Sequence, residues 1–150
     1  MDPRLQVPAA GLVQQFTLSQ TLYDLRARLQ PIGKSFDALV AAIAKRKAAA
    51  KGKETQDALD GLLKKLEPLA DPAAMRSGRP LEWAGLGKNV HFFGDLQRFD
   101  AAPTPVQERA VTELQSAAAS VPELWKTIPD AVATVNAQLQ KAGLESIKLL

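Results

Sequence analysis

His91 is the only histidine in the chain, and there is no cysteine. A nucleophilic triad needs a base, a nucleophile and an orienting group, and a zinc site needs three or four ligands. The lone imidazole in Asn89-Val90-His91-Phe92-Phe93 supplies neither, and it reads as a surface or half-buried side chain beside an aromatic pair. Carboxylates are the next candidates, since two of them in different environments can divide acid and base roles. Asp24, Asp37, Asp57, Asp60, Glu108, Glu113, Glu123 and Asp130 all fall on expected helices. None sits on an apolar stripe, and most have an opposite charge nearby, as Asp24 has Arg28 and Asp60 has Lys64 one turn on. Such pairs are ordinary solvated helix contacts of about 0.2–0.5 kcal/mol. No catalytic, cofactor-binding or metal-binding residue is assigned.

Binding chemistry has two candidate places. Lys45, Arg46 and Lys47, followed by Lys51 and Lys53, crowd the end of one expected helix and the turn after it. A cluster of this kind meets phosphates, an acidic partner or anionic lipid. Equally, cations favour helix C-termini and keep an Ala-rich hairpin soluble. No aromatic residue stands between Val40 and Leu69, so nucleic-acid bases would find no stacking platform there. The second place is the aromatic group Trp83, Phe92, Phe93 and Phe99, which either anchors a partner or plugs one end of a bundle. Gly85-Leu86-Gly87 lacks the third glycine and the preceding strand of a dinucleotide loop.

The elements that must position these groups are helices. Leu18, Leu22, Leu25, Leu29, Ile32, Phe36, Leu39 and Ile43 follow one another in steps of four and three. Val111, Leu114, Ala118, Val121, Trp125, Ile128, Val132, Val135 and Leu139 do the same. That alternation lays one apolar stripe along a helix, and the two stripes would span roughly 39 and 43 Å. Pro31, Pro122 and Pro129 interrupt the helices without shifting the register, which predicts two long kinked rods. The alternative is a fresh start at Ser120-Val121-Pro122-Glu123, which has the form of a capping box. A shorter helix is expected over about Thr55 to Leu69, an irregular loop over Asp71 to Pro80, and another short helix within Leu81 to Phe99. Thr104, Pro105 and Gln107 mark a capped helix start, and Gly143-Leu144 an αL stop.

Bulk composition agrees with one helical domain. Hydrophobic residues make up 46% of the sequence but aromatics only 5%, so small aliphatics must fill the core, which suits closely packed helices. A net charge of +3 is too small to define a nucleic-acid binder. Absence of cysteine leaves the redox compartment open. The N-terminus lacks the pattern of a signal peptide, and the longest apolar run, 38–44, is far too short to span a membrane. The expected fold is all-α: an antiparallel bundle of two long kinked helices plus two shorter ones over 9–150, with 1–8 as an extended lead-in. The oligomeric state stays open, because such stripes pair between chains as readily as within one.

Several patches, taken in order, resemble a known family. They are Met1-Asp2-Pro3-Arg4, Gln15-Phe16-Thr17-Leu18, Leu22-Tyr23-Asp24, Asp100-Ala101-Ala102-Pro103-Thr104, Asn136-Ala137-Gln138-Leu139 and Ala142-Gly143-Leu144. Together they are similar to the C-terminal helical region of bacterial sortilin-like or Asp-box (BNR-repeat) β-propeller proteins, often labelled glycosyl hydrolase-like. The resemblance implies a segment of a longer secreted or periplasmic protein, with 1–8 ending an upstream β-domain. Its motifs are caps and packing positions, so the hydrolase label does not carry over. Phe99 and the Pro31–Gly33 interruption depart from the family pattern. The function expected is a non-catalytic structural or protein-interaction module that needs no cofactor and no small-molecule substrate. Its partner would be another protein or the parent chain's upstream domains. The alternative is electrostatic binding of nucleic acid or membrane through the basic 45–53 hairpin.

Overall fold

The computed structural model describes residues 8–84, 94, 96–98 and 101–149. The described chain is all-α. Helix α1 spans Ala9–Ala49, α2 Lys53–Leu66, α3 Pro72–Arg76, α4 Pro105–Ala119, α5 Val121–Lys126 and α6 Ile128–Lys141, and a 3₁₀ turn, Glu67–Leu69, follows α2. Every member of the two long apolar series is buried or half-buried.

α1 runs through Pro31 without interruption. Proline removes one amide donor and so frees the carbonyl of the residue four positions back. That residue is Ala27, and both it and Pro31 are exposed, so water can take the bond. The second series behaves differently. It divides into α4, α5 and α6 at Ser120 and Thr127, each just ahead of a proline in the first turn of the next segment. Ser120 does not form the expected capping box. Its backbone stays helical, at φ −79° and ψ −18°, so its hydroxyl reaches back to the Ala117 carbonyl rather than forward to an amide.

Other ends follow the expected chemistry. Thr104 accepts from the Gln107 amide while the Gln107 side chain accepts from the Thr104 amide, with Pro105 at the first helical position. α6 stops at Gly143, whose φ of +68° is open to glycine at little steric cost. Leu144 N–H then donates to the Leu139 carbonyl and Gly143 N–H to that of Gln140, the two bonds of a Schellman turn. The loop expected over Asp71 to Pro80 instead contains α3, because Asp71 caps the Ala73 amide and Pro72 fits the first turn. The helix expected from Leu81 does not begin there. Asp71 N–H donates to Glu82 and Ala84 N–H to Leu69, making an isolated antiparallel bridge between Ala70 and Trp83. The rest of that expected helix, apart from Gly94 and 96–98, lies outside the described residues, as do 1–7 of the expected lead-in.

The chain divides into two compact units. One contains α1 up to Gln30 and α4, with Leu22, Leu96 and Val111 at its centre and Leu18 and Leu114 beside them. The other contains α1 from Pro31, α2, α3, α5 and α6. Its larger core joins Phe36, Leu39 and Ile43 of α1 to Leu59, Leu62 and Leu66 of α2 and to Val132, Val135 and Leu139 of α6. α2 lies mainly against α6.

Candidate functional site

The basic cluster is engaged by the protein itself. Arg46, on the last turn of α1, is only 12% exposed at its side chain. Its guanidinium donates from Nε to the Glu145 carbonyl at 3.1 Å, and from Nη2 to the Glu145 carboxylate at 2.9 Å and the Ser146 carbonyl at 3.1 Å. Lys47 pairs with Asp60 of α2 at 2.5 Å. Lys45, Lys51 and Lys53 are exposed.

The segment that Arg46 holds follows the Gly143 turn and has neither helix nor strand structure. Asn136 of α6 grips it a second time. Its Nδ2 donates to the Ile147 carbonyl at 2.9 Å, and its Oδ1 accepts from the Ile147 amide at 2.7 Å. Between these clamps Ile147 is 3% exposed and shares the core of Ile43, Ala50 and Leu139, with Leu144 and Leu149 packed against that core. The arrangement is that of a peptide segment seated on the helices: two polar side chains on its backbone and three aliphatic side chains packed against the core. Sequence reasoning missed Asn136, Glu145 and Ile147. Spacing carried no signal for them, because a polar residue directly after a stripe position, as Asn136 after Val135, is ordinary on an amphipathic helix.

Of the four aromatics, Trp83 is half-buried and lies 5.5 Å from Phe36, ring centre to ring centre. It is seated over Gly33 of α1, where a Cβ would come within 2.9 Å of its Nε1. That indole nitrogen is buried with no hydrogen-bond partner among the described residues. Trp125 is half-buried against the same core. Phe92, Phe93, Phe99 and His91 lie outside the described residues.

The carboxylates pair in ways that spacing alone did not indicate. Asp24 accepts from Gln20 at 2.9 Å rather than from Arg28, and Asp60 takes Lys47. Asp37 is held above the ordinary carboxylate range, first by loss of water around it and second by the nearby negative charge of Glu82, which itself pairs with Arg79. Among the described residues no group of three or more His, Asp or Glu could hold a metal ion, and no helix is long and apolar enough to cross a membrane. Shallow clefts among the described residues include two. One, about 300 Å³, is lined by Thr21, Asp24, Leu25, Arg28 and Gln115; the other, about 210 Å³, lies between Ala58, Gly61 and Lys65 of α2 and Ala131 and Thr134 of α6.

A further surface feature sits on α1. Val13, Phe16 and Tyr23 are 65%, 69% and 60% exposed. With Ala9, Gln20 and Ala27, all exposed, they form a second stripe in four-three spacing, on the side of the helix opposite Leu18, Leu22 and Leu25.

No match was found to any protein-family model, curated protein or solved structure.

Proposed function

We propose that this chain is a non-catalytic helical module that braces or binds other protein, as the helical region following a secreted β-propeller. The observation that carries the reading is the outer stripe of α1. Large apolar side chains grouped in water on one face mark interaction surfaces on soluble proteins, and here two aromatic rings are exposed while the opposite face of the same helix is buried. Among the described residues the buried polar side chains are Ser19, Ser35 and Thr55, none of them ionisable, which fits bracing better than turnover. Arg46 and Lys47 hold the chain's own segments, which lowers the charge left for an anionic ligand.

The test is hydroxyl-radical footprinting of Phe16 and Tyr23, first in the isolated chain and then in the parent reading frame. Strong labelling in isolation and protection in the parent are expected, together with no hydrolysis of glycoside or peptide panels. Equal labelling in both settings, or turnover abolished by a single substitution, overturns the reading. Binding that falls steeply with salt and disappears when Lys45, Arg46 and Lys47 are replaced by Ala would favour the electrostatic alternative.

A further inference from the structure

We propose that the groove built by Arg46 and Asn136 is a peptide-binding groove, occupied in this chain by its own residues 144–149, and that it accepts in trans an extended peptide of a partner protein. The peptide would carry an acidic residue with a large aliphatic two positions later. This deepens the protein-interaction reading and rests on it.

The argument starts from where the polar contacts point. Asn136 makes both of its bonds to the main chain of Ile147, the donor-and-acceptor pair that a neighbouring strand would offer. Arg46 gives two of its bonds to main-chain carbonyls and one to a carboxylate. Main-chain contacts of this kind recognise an extended backbone whatever its side chains, and pockets for alternate residues then add selectivity. Selectivity here comes from the buried socket of Ile147 and from the Arg46–Glu145 ion pair. The charge complementarity therefore specifies the occupant: an acid at the position of Glu145 and an aliphatic at that of Ile147.

The resident segment is also built to leave. It has neither helix nor strand structure, so beyond the Gly143 turn its backbone is held mainly by two side chains. Short segments with few backbone bonds open at lower free energy than the helices beneath them. While attached, the segment competes at an effective concentration in the millimolar range, so a trans peptide binds weakly until the segment is loosened.

The experiment uses the full chain and a fluorescent peptide, Leu-Glu-Ser-Ile-Lys-Leu, capped at both ends. In the Ile147→Asp chain, whose own segment is loosened, the peptide should bind at least tenfold more tightly than to the natural chain. Adding Asn136→Ala to that background should weaken binding tenfold or more, and a peptide with Asp for its Ile should not bind. An Ile147→Asp chain of unchanged helicity that fails to bind the peptide overturns the proposal. If that variant does not fold, amide exchange in the natural chain decides. The Ile147 amide should exchange at least tenfold faster than those of Val135 and Leu139, and equal rates overturn the proposal because the segment would then open only with the whole unit. Loss of peptide binding while Phe16 and Tyr23 remain protected in the parent removes this inference alone.

Discussion

Gly33 and Gly61 both sit inside helices, where glycine is about 0.8–1.0 kcal/mol less favourable than alanine, yet replacing them by alanine should move stability in opposite directions. At Gly61 an added Cβ meets nothing within 4 Å, so Gly61→Ala should stabilise by about 0.5–1 kcal/mol. At Gly33 the same methyl meets the Trp83 indole at 2.9, 3.0 and 3.3 Å. Displacing a packed ring costs about 1–3 kcal/mol, which offsets the helix gain and leaves Gly33→Ala destabilising by up to about 2 kcal/mol. The two variants should therefore differ by roughly 1–3 kcal/mol, or about 4–8 °C per kcal/mol for a unit of this size. Both tryptophans belong to the unit that holds Gly33 and Gly61, so tryptophan fluorescence during urea and thermal unfolding reports on that unit. A Trp83→Leu background sharpens the test. With the indole gone the clash goes too, and Gly33→Ala should become stabilising. The same negative effect of Gly33→Ala with and without Trp83 would refute the seating of the ring on the glycine.

Thr104→Ala removes a capping box and should destabilise the unit containing α4 by about 1 kcal/mol, measured by circular dichroism against Thr112→Ala, whose hydroxyl only returns to its own helix. Asp37→Asn should raise the melting temperature at neutral pH. Because the folded-state proton affinity of Asp37 is raised, its ionisation favours the unfolded chain, so the destabilisation is present above its folded pKa and fades as pH falls below its unfolded value. The gain from Asp37→Asn should therefore shrink to nothing at acidic pH, and a pH-independent gain would point to packing instead. Phe16→Ser with Tyr23→Ser should leave helicity and melting temperature nearly unchanged, since both rings are exposed, whereas a large drop in stability would place them in the core.

The fold was legible because helical burial writes a periodic signal. Eight residues from Leu18 to Ile43 keep one register, and every one of them is buried or half-buried. The caps were legible for the same local reason: Thr104, Pro105, Gln107 and Gly143 act within a turn of their own position. What spacing did not convey was continuity. Pro31 and Pro122 look alike in sequence, yet α1 passes one and the second series restarts at the other. The outcome tracks whether the residue four positions back is exposed, as Ala27 is and Ala118 is not, and that is a tertiary property. Gly33 was misleading in the same way. Read locally it weakens a helix, but it is the gap that admits Trp83 from a segment fifty residues on.

The same distinction between local and distant contacts explains why the charges were harder to read than the stripes. A lysine-arginine run at a helix end has a local explanation in the helix dipole and a functional one in an anionic ligand, and composition does not separate them. Distance does: Arg46 meets Glu145 and Ser146 about a hundred positions away in the chain, and Lys47 meets Asp60 across a turn. The outer stripe of α1 shows the converse. Val13, Phe16 and Tyr23 carry helical spacing as plainly as Leu18, Leu22 and Leu25 do, so periodicity alone assigns both faces to a core. One helix face packs inside this unit, and it is the stripe of closely spaced leucines, which fills a seam more evenly than a row broken by Gln20 and two alanines. The row left over keeps its rings in water, at an energetic disadvantage that folding of the described chain does not relieve. A second protein surface covering those rings would relieve it, which is why the proposed function rests on the exposed aromatics rather than on the lysines.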